Sequence, residues 1–260
     1  DKLPIQDVVS WTTLIEAYSE HEHNEEVLQC LDQMRFEGVS PDEVTLVCCL
    51  KACSSIGAME RAQEIHAEIE RKGFLKGDCI VGNTLVDTYA KSGLHVVAQK
   101  VFDKLSNRDI ISWNSLIGAY AQIGESKKAF YTFDKMLGED IRPDSITFLI
   151  VFNACIRAGL FKQSQMYFEA MSEDHGIVPS VEHHHGMISL LCHVGHLDKA
   201  LALIKKMPLS PNLVAWHTIL GACRECGNEE LGKLAFENAL HLDRNDAASY
   251  VLMSHIYARV

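Results

Sequence analysis

The sequence has 260 residues, 47% hydrophobic and 23% charged, a balance typical of folded proteins rather than of disordered chains. No apolar run reaches the roughly 18 residues that a membrane-spanning helix requires, so we expect no membrane association. Acidic residues outnumber basic ones by 35 to 24, and the formal net charge is −11. Proteins that coat nucleic acids through phosphate contacts are basic, so any nucleic-acid binding here must depend on base contacts.

The chain opens on a segment that recurs later in the sequence. Residues 1–7, Asp-Lys-Leu-Pro-Ile-Gln-Asp, return at 103–109 as Asp-Lys-Leu-Ser-Asn-Arg-Asp. We therefore expect the sequence to begin inside a repeat, as a piece of a longer protein whose address peptide would lie upstream. The three tryptophans, Trp11, Trp113 and Trp216, follow the same long period, with separations of 102 and 103 residues.

This long period divides into units of about 35 residues. Six regularly spaced glycines mark the units: Gly57, Gly93, Gly124, Gly159, Gly195 and Gly227. They define seven units and the start of an eighth: 8–42, 43–78, 79–109, 110–144, 145–180, 181–212, 213–246 and 247–260. The first unit departs from the pattern because Glu22 stands where the others have glycine. Such a period is the mark of a repeat architecture.

Each unit has the pattern of two helices. In 110–144, Leu116, Ile117 and Tyr120 recur at helical spacing, Gly124 would end that helix in a left-handed conformation, and a second apolar stripe follows. One such pair cannot bury its apolar stripes alone, whereas stacked pairs can. We therefore predict an all-α fold, a right-handed α-solenoid whose concave face is lined by the first helix of each pair.

Local signals predict where the helices begin and end. Residues suited to an N-cap stand third in their units: Ser10, Thr45, Ser112 and Thr147. Prolines that cannot continue a helix follow the second helix of four units: Pro41, Pro143, Pro179 and Pro211.

In this register the sequence resembles the pentatricopeptide repeat family, over essentially its whole length. The resemblance rests on Val8-Val-Ser-Trp-Thr-Thr-Leu-Ile15 followed by Met34 and Pro41-Asp42, and on unit lengths that alternate as 35, 36 and 31. This alternation resembles the plant subclass built of P-, L- and S-type repeats. The segments Gly82–Lys91 and Ile65-His66-Ala67 are similar to S-type and L-type repeats respectively.

The resemblance assigns a class to each unit. Units 8–42 and 110–144 would be P-type, 43–78 and 145–180 L-type, and 79–109 and 181–212 S-type, with 1–7 the end of a truncated S-type repeat. Unit 213–246, with Leu220-Gly-Ala-Cys-Arg224, resembles the tetratricopeptide-like E-type extension. Residues 247–260 would begin a second extension motif.

Family membership would imply a function. It implies sequence-specific binding of single-stranded RNA in a plant chloroplast or mitochondrion, where such proteins specify sites of C-to-U editing. The implied partners are multiple organellar RNA editing factors and a cytidine deaminase domain, supplied in cis or in trans. No such domain is recognisable in the sequence, so we expect this chain itself to be non-catalytic and to hold no cofactor or metal.

The family resemblance also indicates which positions would read bases. Repeats of this type read one base each through two or three side chains. By resemblance these are the fifth and last residues of a unit, here Thr12 with Asp42, Asn83 with Asp109, Asn114 with Asp144, and His185 with Asn212. The second residues would wedge between bases: Val9, Val44, Ile80, Ile111 and Ile146. The alternatives are that these second residues are core residues at the helix start, and that the aspartates are only caps or turn formers.

The chemistry of aspartate predicts which bases would be chosen. An ionised carboxylate only accepts hydrogen bonds, so it favours uracil and guanine, which present a ring N–H, over adenine and cytosine. By the family's pattern Asn with Asp favours U and Thr with Asp favours G. Apolar fifth residues in the L-type units, paired as Val47/Asp78 and Leu149/Ser180, would tolerate several bases. The predicted target is therefore 5′-G-n-U-U-n-n-3′, with the sixth nucleotide four upstream of the edited C.

Other interpretations compete with RNA reading. A zinc deaminase would need His-x-Glu and Pro-Cys-x-x-Cys, and the sequence has His66-Ala67-Glu68 but Ala222 before Cys223-Arg-Glu-Cys226, more than 150 residues away. Adjacent residues 183–185, all histidine, would point in different directions on a helix. The main alternative function is a protein-interaction scaffold like tetratricopeptide arrays, which residues 213–260 fit comparably well. The apolar stretches 46–50 and 148–152 could serve partner binding or, as we expect for most of their side chains, the core.

Overall fold

The computed structural model describes residues 7–77, 79–207 and 212–258, which fold as α-helices joined by short turns. No strand occurs in these three ranges, so the predicted all-α class is confirmed. Within them, too, no helix is both long and apolar enough to cross a membrane. The chain divides into two compact units, Asp1–Ile141 and Arg142–Val260.

The described part of the first compact unit contains four helix pairs. Its helices are α1 (Val8–Glu20), α2 (Asn24–Phe36), α3 (Glu43–Ile56), α4 (Met59–Lys72), α5 (Cys79–Lys91), α6 (His95–Lys104), α7 (Ile110–Gln122) and α8 (Ser126–Gly138). A short 3-10 helix, Phe74–Lys76, follows α4.

The second compact unit continues the pattern. Its helices are α9 (Ser145–Ala158), α10 (Phe161–Glu173), α11 (Val181–His193), α12 (Leu197–Lys206), α13 (Leu213–Cys226), α14 (Glu229–Leu242) and α15 (Ala247–Tyr257). Every odd-numbered helix begins at the first residue of a unit defined by the sequence period. The class of each repeat stays a prediction.

Helices of the same rank form a layer within each compact unit. In the first, α1 contacts α3, α3 contacts α5 and α5 contacts α7; in the second, α9 contacts α11, α11 contacts α13 and α13 contacts α15. Each second helix packs against its own first helix. Within each compact unit consecutive pairs contact each other, so their apolar stripes are buried by stacking, as in an α-solenoid. Trp113 and Phe102 illustrate this packing, with ring centroids 4.8 Å apart in an edge-to-face arrangement between α7 and α6.

The turn after each first helix requires a left-handed residue, as the sequence predicted. Gly57 and Gly159, which follow α3 and α9, have φ angles of 72° and 65°. Glycine adopts this conformation without the steric cost that a Cβ atom brings. In the first repeat Glu22 occupies the equivalent turn with φ 59°, so that repeat carries backbone strain that its neighbours avoid.

The predicted N-caps were wrong by three residues. Wherever the capping residue of a first helix is described, it is the last residue of the preceding repeat, such as Asp42 before α3, whose side chain accepts a hydrogen bond from the backbone N–H of Thr45. Ser10, Ser112 and Thr147 likewise lie in the first turn of their helices and are not the N-cap residues. An aspartate at the cap satisfies an N–H that the helix leaves unpaired.

The apolar stretches considered for partner binding lie mainly in the core. All five side chains of 46–50 are buried, and so are Phe148, Val151 and Phe152. Two cysteines that follow these stretches on the same helices are buried as well. Burial raises the pKa of the Cys53 thiol to about 11 and that of Cys155 to about 12, so both stay protonated at neutral pH. These side chains therefore stabilise the helix layers and offer no docking surface.

Candidate nucleic-acid interface

The junction between the first two repeats brings Thr12 and Asp42 together, 30 residues apart in sequence. The Asp42 Oδ1 atom accepts hydrogen bonds from the backbone N–H and the hydroxyl of Thr45, both at 2.8 Å. The Thr45 hydroxyl lies 2.8 Å from the Thr12 hydroxyl, which in turn is 3.3 Å from Asp42 Oδ2. The cap of α3 is thus also part of a polar cluster that includes α1.

The same cluster recurs between α5 and α7. Asn83 Nδ2 donates to Asp109 Oδ1 at 3.0 Å and lies 3.2 Å from Oδ2. Asp109 Oδ1 also caps α7 by accepting from the Ser112 backbone N–H at 2.8 Å. The Ser112 hydroxyl lies 2.5 Å from Asn83 Oδ1 and 3.0 Å from Asp109 Oδ1. The sequence predicted these third-residue hydroxyls as helix caps, and their place in a cluster with the fifth and last residues was not predicted.

The carboxylate of Asp109 is held in its ionised form. Burial acts to raise its pKa, but the hydrogen bonds from Ser112 and from the Asn83 amide outweigh that effect and hold the pKa below its ordinary value. At neutral pH this group therefore accepts hydrogen bonds and donates none.

The two oxygens of each carboxylate have different tasks. A carboxylate can accept about four hydrogen bonds. At both junctions the helix cap uses Oδ1, while Oδ2 is reached by the fifth residue of the preceding first helix, which at the second junction also bonds to Oδ1. The capping alternative is therefore correct for Asp42 and Asp109, but capping leaves Oδ2 with acceptor capacity for a further donor.

The fifth residues are more deeply buried than the aspartates. Thr12 is 8% exposed and Asn83 7% exposed, whereas Asp42 and Asp109 are half-buried. A ligand at the junction would therefore meet the carboxylate first, with the fifth residue shaping the space beside it.

The second residues of the repeats form a set of exposed apolar side chains. Their exposed fractions are 65% for Val9, 44% for Val44, 57% for Ile80, 58% for Ile111 and 60% for Ile146. Core residues of the same types, such as Ile15 and Val27, are fully buried. This exposure rules out the helix-start core alternative. β-Branched side chains are stiff at χ1, so these residues offer fixed apolar walls.

A close helix–loop contact places Asp109 beside Asn83. A Cβ atom on Gly82 would lie 2.4 Å from Cδ2 of Leu105, so any larger residue would require the Leu105 side chain to shift away from α5. Leu105 is buried and ends α6, four residues before Asp109. The missing side chain at position 82 thus lets residues 105–109 approach the helix that carries Asn83.

In the remaining predicted polar pairs, the fifth residue lies on a first helix and its predicted partner is the N-cap of a first helix. Asn114 lies in the first compact unit and Asp144, the cap of α9, in the second, and each is half-buried. No hydrogen bond joins His185 to Asn212 in the described structure, and Asn212 caps α13. In the pairs predicted as L-type, Val47 is buried, Asp78 lies outside the described residues, and Leu149 is half-buried.

The residues that resembled a zinc site have other contacts. His66 Nδ1 lies 2.9 Å from the Tyr89 hydroxyl, and Glu68 forms ion pairs with Arg35 at 2.5 Å and Lys72 at 3.0 Å. No group of three or more potential metal ligands occurs among the described residues.

His183, in the second compact unit, links two first helices. Its Nε2 atom lies 2.9 Å from the Ser145 carbonyl oxygen at the start of α9, and its Nδ1 accepts from the Ser180 backbone N–H at 3.2 Å. Burial lowers the pKa of His183, so the ring stays neutral with its proton on Nε2. The adjacent His184 ring contacts the Ser180 carbonyl oxygen instead, so the histidine run does not converge on one point.

Comparison with known proteins identifies relatives along the whole chain. A sequence model of the PPR repeat family matches residues 6–55 and 108–157, and a model of the PPR repeat matches 83–110 and 184–210. The chloroplastic pentatricopeptide repeat-containing protein CRR2 of Arabidopsis thaliana is 38% identical over 98% of this chain and 39% of its own length. DOT4, chloroplastic, from the same plant is 34% identical over 99% of this chain and 30% of its length. A third Arabidopsis thaliana relative, 33% identical over 99% of this chain and 41% of its own length, is named as mitochondrial.

Solved structures share the fold. The crystal structure of the pentatricopeptide repeat protein PPR10 from maize superposes with a TM-score of 0.64 at 19% identity, over 98% of this chain and 42% of that one. PPR10 in complex with an 18-nt psaJ RNA element gives the same TM-score at 20% identity, over 96% and 41%. A tetratricopeptide repeat protein from Parabacteroides merdae gives 0.55 at 17% identity, over 95% and 98%. The fold alone therefore fits both repeat families, whereas the sequence relatives favour one.

Proposed function

Because the chain belongs to the pentatricopeptide repeat family, we propose that it binds single-stranded RNA and reads one base with each reading repeat. The observation that carries this proposal is the pair of matching clusters, Thr12/Asp42/Thr45 and Asn83/Asp109/Ser112. In each, a carboxylate with spare acceptor capacity stands at a repeat junction beside exposed apolar residues. The RNA complex of the structurally similar PPR10 supports the same class of ligand.

At the third repeat the base would lie flat between the side chains of Ile80 and Ile111. Both are more than half exposed, and they belong to consecutive first helices that contact each other. Base stacking of this kind contributes about 1–3 kcal/mol per base at aromatic platforms. The edge of the base would face Asp109 Oδ2, which accepts the ring N–H of uracil.

Specificity follows from the acceptor and from the space beside it. Cytosine and adenine place an acceptor where uracil and guanine place a donor, so an ionised aspartate repels them. The larger Asn83 would leave room for a pyrimidine and the smaller Thr12 for a purine. The proposed target is 5′-G-n-U-U-n-n-3′, with Thr12/Asp42 reading G, and Asn83/Asp109 and Asn114/Asp144 reading U. His185 and Asn212 would face the sixth nucleotide without a preference that their chemistry defines.

The proposed biological role is to specify sites of C-to-U editing in a plant organelle. Relatives named chloroplastic and mitochondrial support an organellar setting. The chain spans less than half of the length of these relatives, so the activity of the whole protein is proposed rather than read from this segment. P-, L- and S-type repeats with an E-type extension, multiple organellar RNA editing factors and a deaminase domain in cis or in trans belong to this proposal.

Selection from a random RNA pool tests the proposed function. The wild-type chain and the Asp109→Asn variant would each be incubated with the pool, and bound RNAs sequenced. We expect enrichment of G at the first, and U at the third and fourth, of six positions, with C replacing U at the third position only in Asp109→Asn. Asp134→Asn is the matched control, because Asp134 is exposed on the second helix α8 and carries the same charge change. A pool without enrichment in either protein would instead favour a protein-interaction scaffold.

A further inference from the structure

The repeat that most resembles a protein-interaction motif, residues 213–246, joins its fifth and last residues by a hydrogen bond, as the base-reading repeats do. We infer that it forms a seventh reading unit, in which Asp246 accepts the ring N–H of a base and His217 stands beside it. The inference rests on the proposed RNA binding. It adds a nucleotide contact in a segment that neither repeat model matches.

The two residues occupy the fifth and last positions of their repeat and contact each other. His217 Nε2 lies 2.6 Å from Asp246 Oδ2, as Asn83 Nδ2 lies 3.0 Å from Asp109 Oδ1. Asp246 caps α15 by accepting from the Ser249 backbone N–H at 3.0 Å, and Ser249 is the third residue of its helix, as Ser112 is. The fifth residue, the last residue and the backbone N–H of the following third residue therefore meet as in the reading repeats, with both bonds on Asp246 Oδ2 and without the side-chain hydrogen bonds that the Ser112 hydroxyl makes.

Two further features agree with this register. Val214, the second residue, is 56% exposed, close to the 57% of Ile80. The sixth residue, Thr218, donates its hydroxyl hydrogen to the Val214 carbonyl oxygen at 2.8 Å, and Thr84 donates to the Ile80 carbonyl oxygen at the same distance.

The match is not a general consequence of the fold. The two preceding repeats lack it, since Leu149 cannot hydrogen-bond a base edge and no described hydrogen bond joins His185 to Asn212. In the repeat 213–246, by contrast, Ser249 and the His217 imidazole lower the pKa of Asp246 to about 2, so the carboxylate stays ionised at neutral pH. It can only accept, which favours uracil or guanine. The imidazole is larger than the Thr12 and Asn83 side chains at the same position, so we expect uracil, the smaller base, to be preferred.

Binding to heptamer RNAs tests the inference. RNAs 5′-G-A-U-U-A-A-N-3′, with N as U, G, C or A, would be titrated against the chain by fluorescence anisotropy. We expect U at the seventh position to bind about tenfold more tightly than C or A, with G between them. Asp246→Asn should shift the seventh-position preference from U to C and leave the third position unchanged. Because asparagine caps helices as well as aspartate does, this variant should retain its fold, which circular dichroism would verify.

The control is Asp243→Asn, an exposed aspartate three residues upstream whose side chain accepts only from the nearby Asn245 backbone N–H. It should change neither preference. Equal binding of all four heptamers, with discrimination between U and C intact at the third position, would overturn the inference and leave the proposed function standing. Loss of discrimination at the third position as well would overturn both.

Discussion

Asp109 has two separable tasks, and two substitutions should separate them. Asp109→Asn keeps an oxygen for the cap of α7, and asparagine caps helices as well as aspartate does, so the free energy of unfolding should change by less than about 0.5 kcal/mol. Asp109→Ala removes the cap, which costs about 1 kcal/mol. It also leaves the buried Asn83 amide without its acceptor, at a further cost of about 1–3 kcal/mol. The alanine variant should therefore lose about 3 kcal/mol.

The asparagine variant, which should keep its stability, should nevertheless change its base preference. The asparagine variant presents an N–H donor where the carboxylate accepted, so it should prefer C over U at the third position by about 1–3 kcal/mol, roughly 5- to 150-fold. Urea denaturation gives the stabilities, and anisotropy titrations with four RNAs that differ only in the third base give the preferences. An asparagine variant that is as unstable as the alanine variant, or that still prefers U, would refute the division of tasks between the two oxygens.

Three further changes test other parts of the structure. Glu22→Gly should stabilise the chain by about 0.5–1 kcal/mol in thermal or urea unfolding, because glycine removes left-handed strain of about 1–2 kcal/mol and returns part of it as chain entropy; a loss of stability would contradict this. Burial lowers the pKa of His183, so the contribution of its neutral ring to stability should be complete above pH 6.5 and decline as the pH falls below that value. The urea midpoint should therefore drop less between pH 7.5 and 5.5 in His183→Thr than in the wild type. Equal drops in the two proteins would refute the role of this ring. Ile111→Ala should weaken RNA binding several-fold with little effect on unfolding, because Ile111 is 58% exposed, whereas unchanged affinity would exclude it as a wall for a base.

The sequence was most informative about the order of the elements. Positions such as Gly57 and Gly159 require a left-handed turn, and the apolar stripes on either side have helical spacing, so the helix pairs and their register could be predicted. Both signals act within a few residues. Glu22 shows the limit of the signal, because the turn forms there without glycine.

Contacts across a repeat junction could not be read in the same way. Thr45 was predicted as a cap because a hydroxyl and an aspartate both suit that role, and only geometry shows that Asp42 is the cap and Thr45 its donor. The bond between His217 and Asp246 joins residues 29 positions apart, in a repeat whose resemblance pointed to protein binding. The sequence did show an aspartate in the last position of this repeat, but the fifth position holds histidine where the other reading pairs with aspartate have threonine or asparagine.

Blocking a single hydrogen on the RNA tests the central claim, that the carboxylate of Asp109 accepts the ring N–H of a base. An RNA with N3-methyluridine at the third position keeps the uracil ring and its carbonyl groups but lacks that hydrogen. The wild-type chain should bind it at least tenfold more weakly than the unmodified RNA, and the same modification at the second position, opposite the repeat 43–78 with its apolar fifth residue, should have little effect. If the RNA methylated at the third position bound as tightly as the unmodified RNA, the claim would be contradicted.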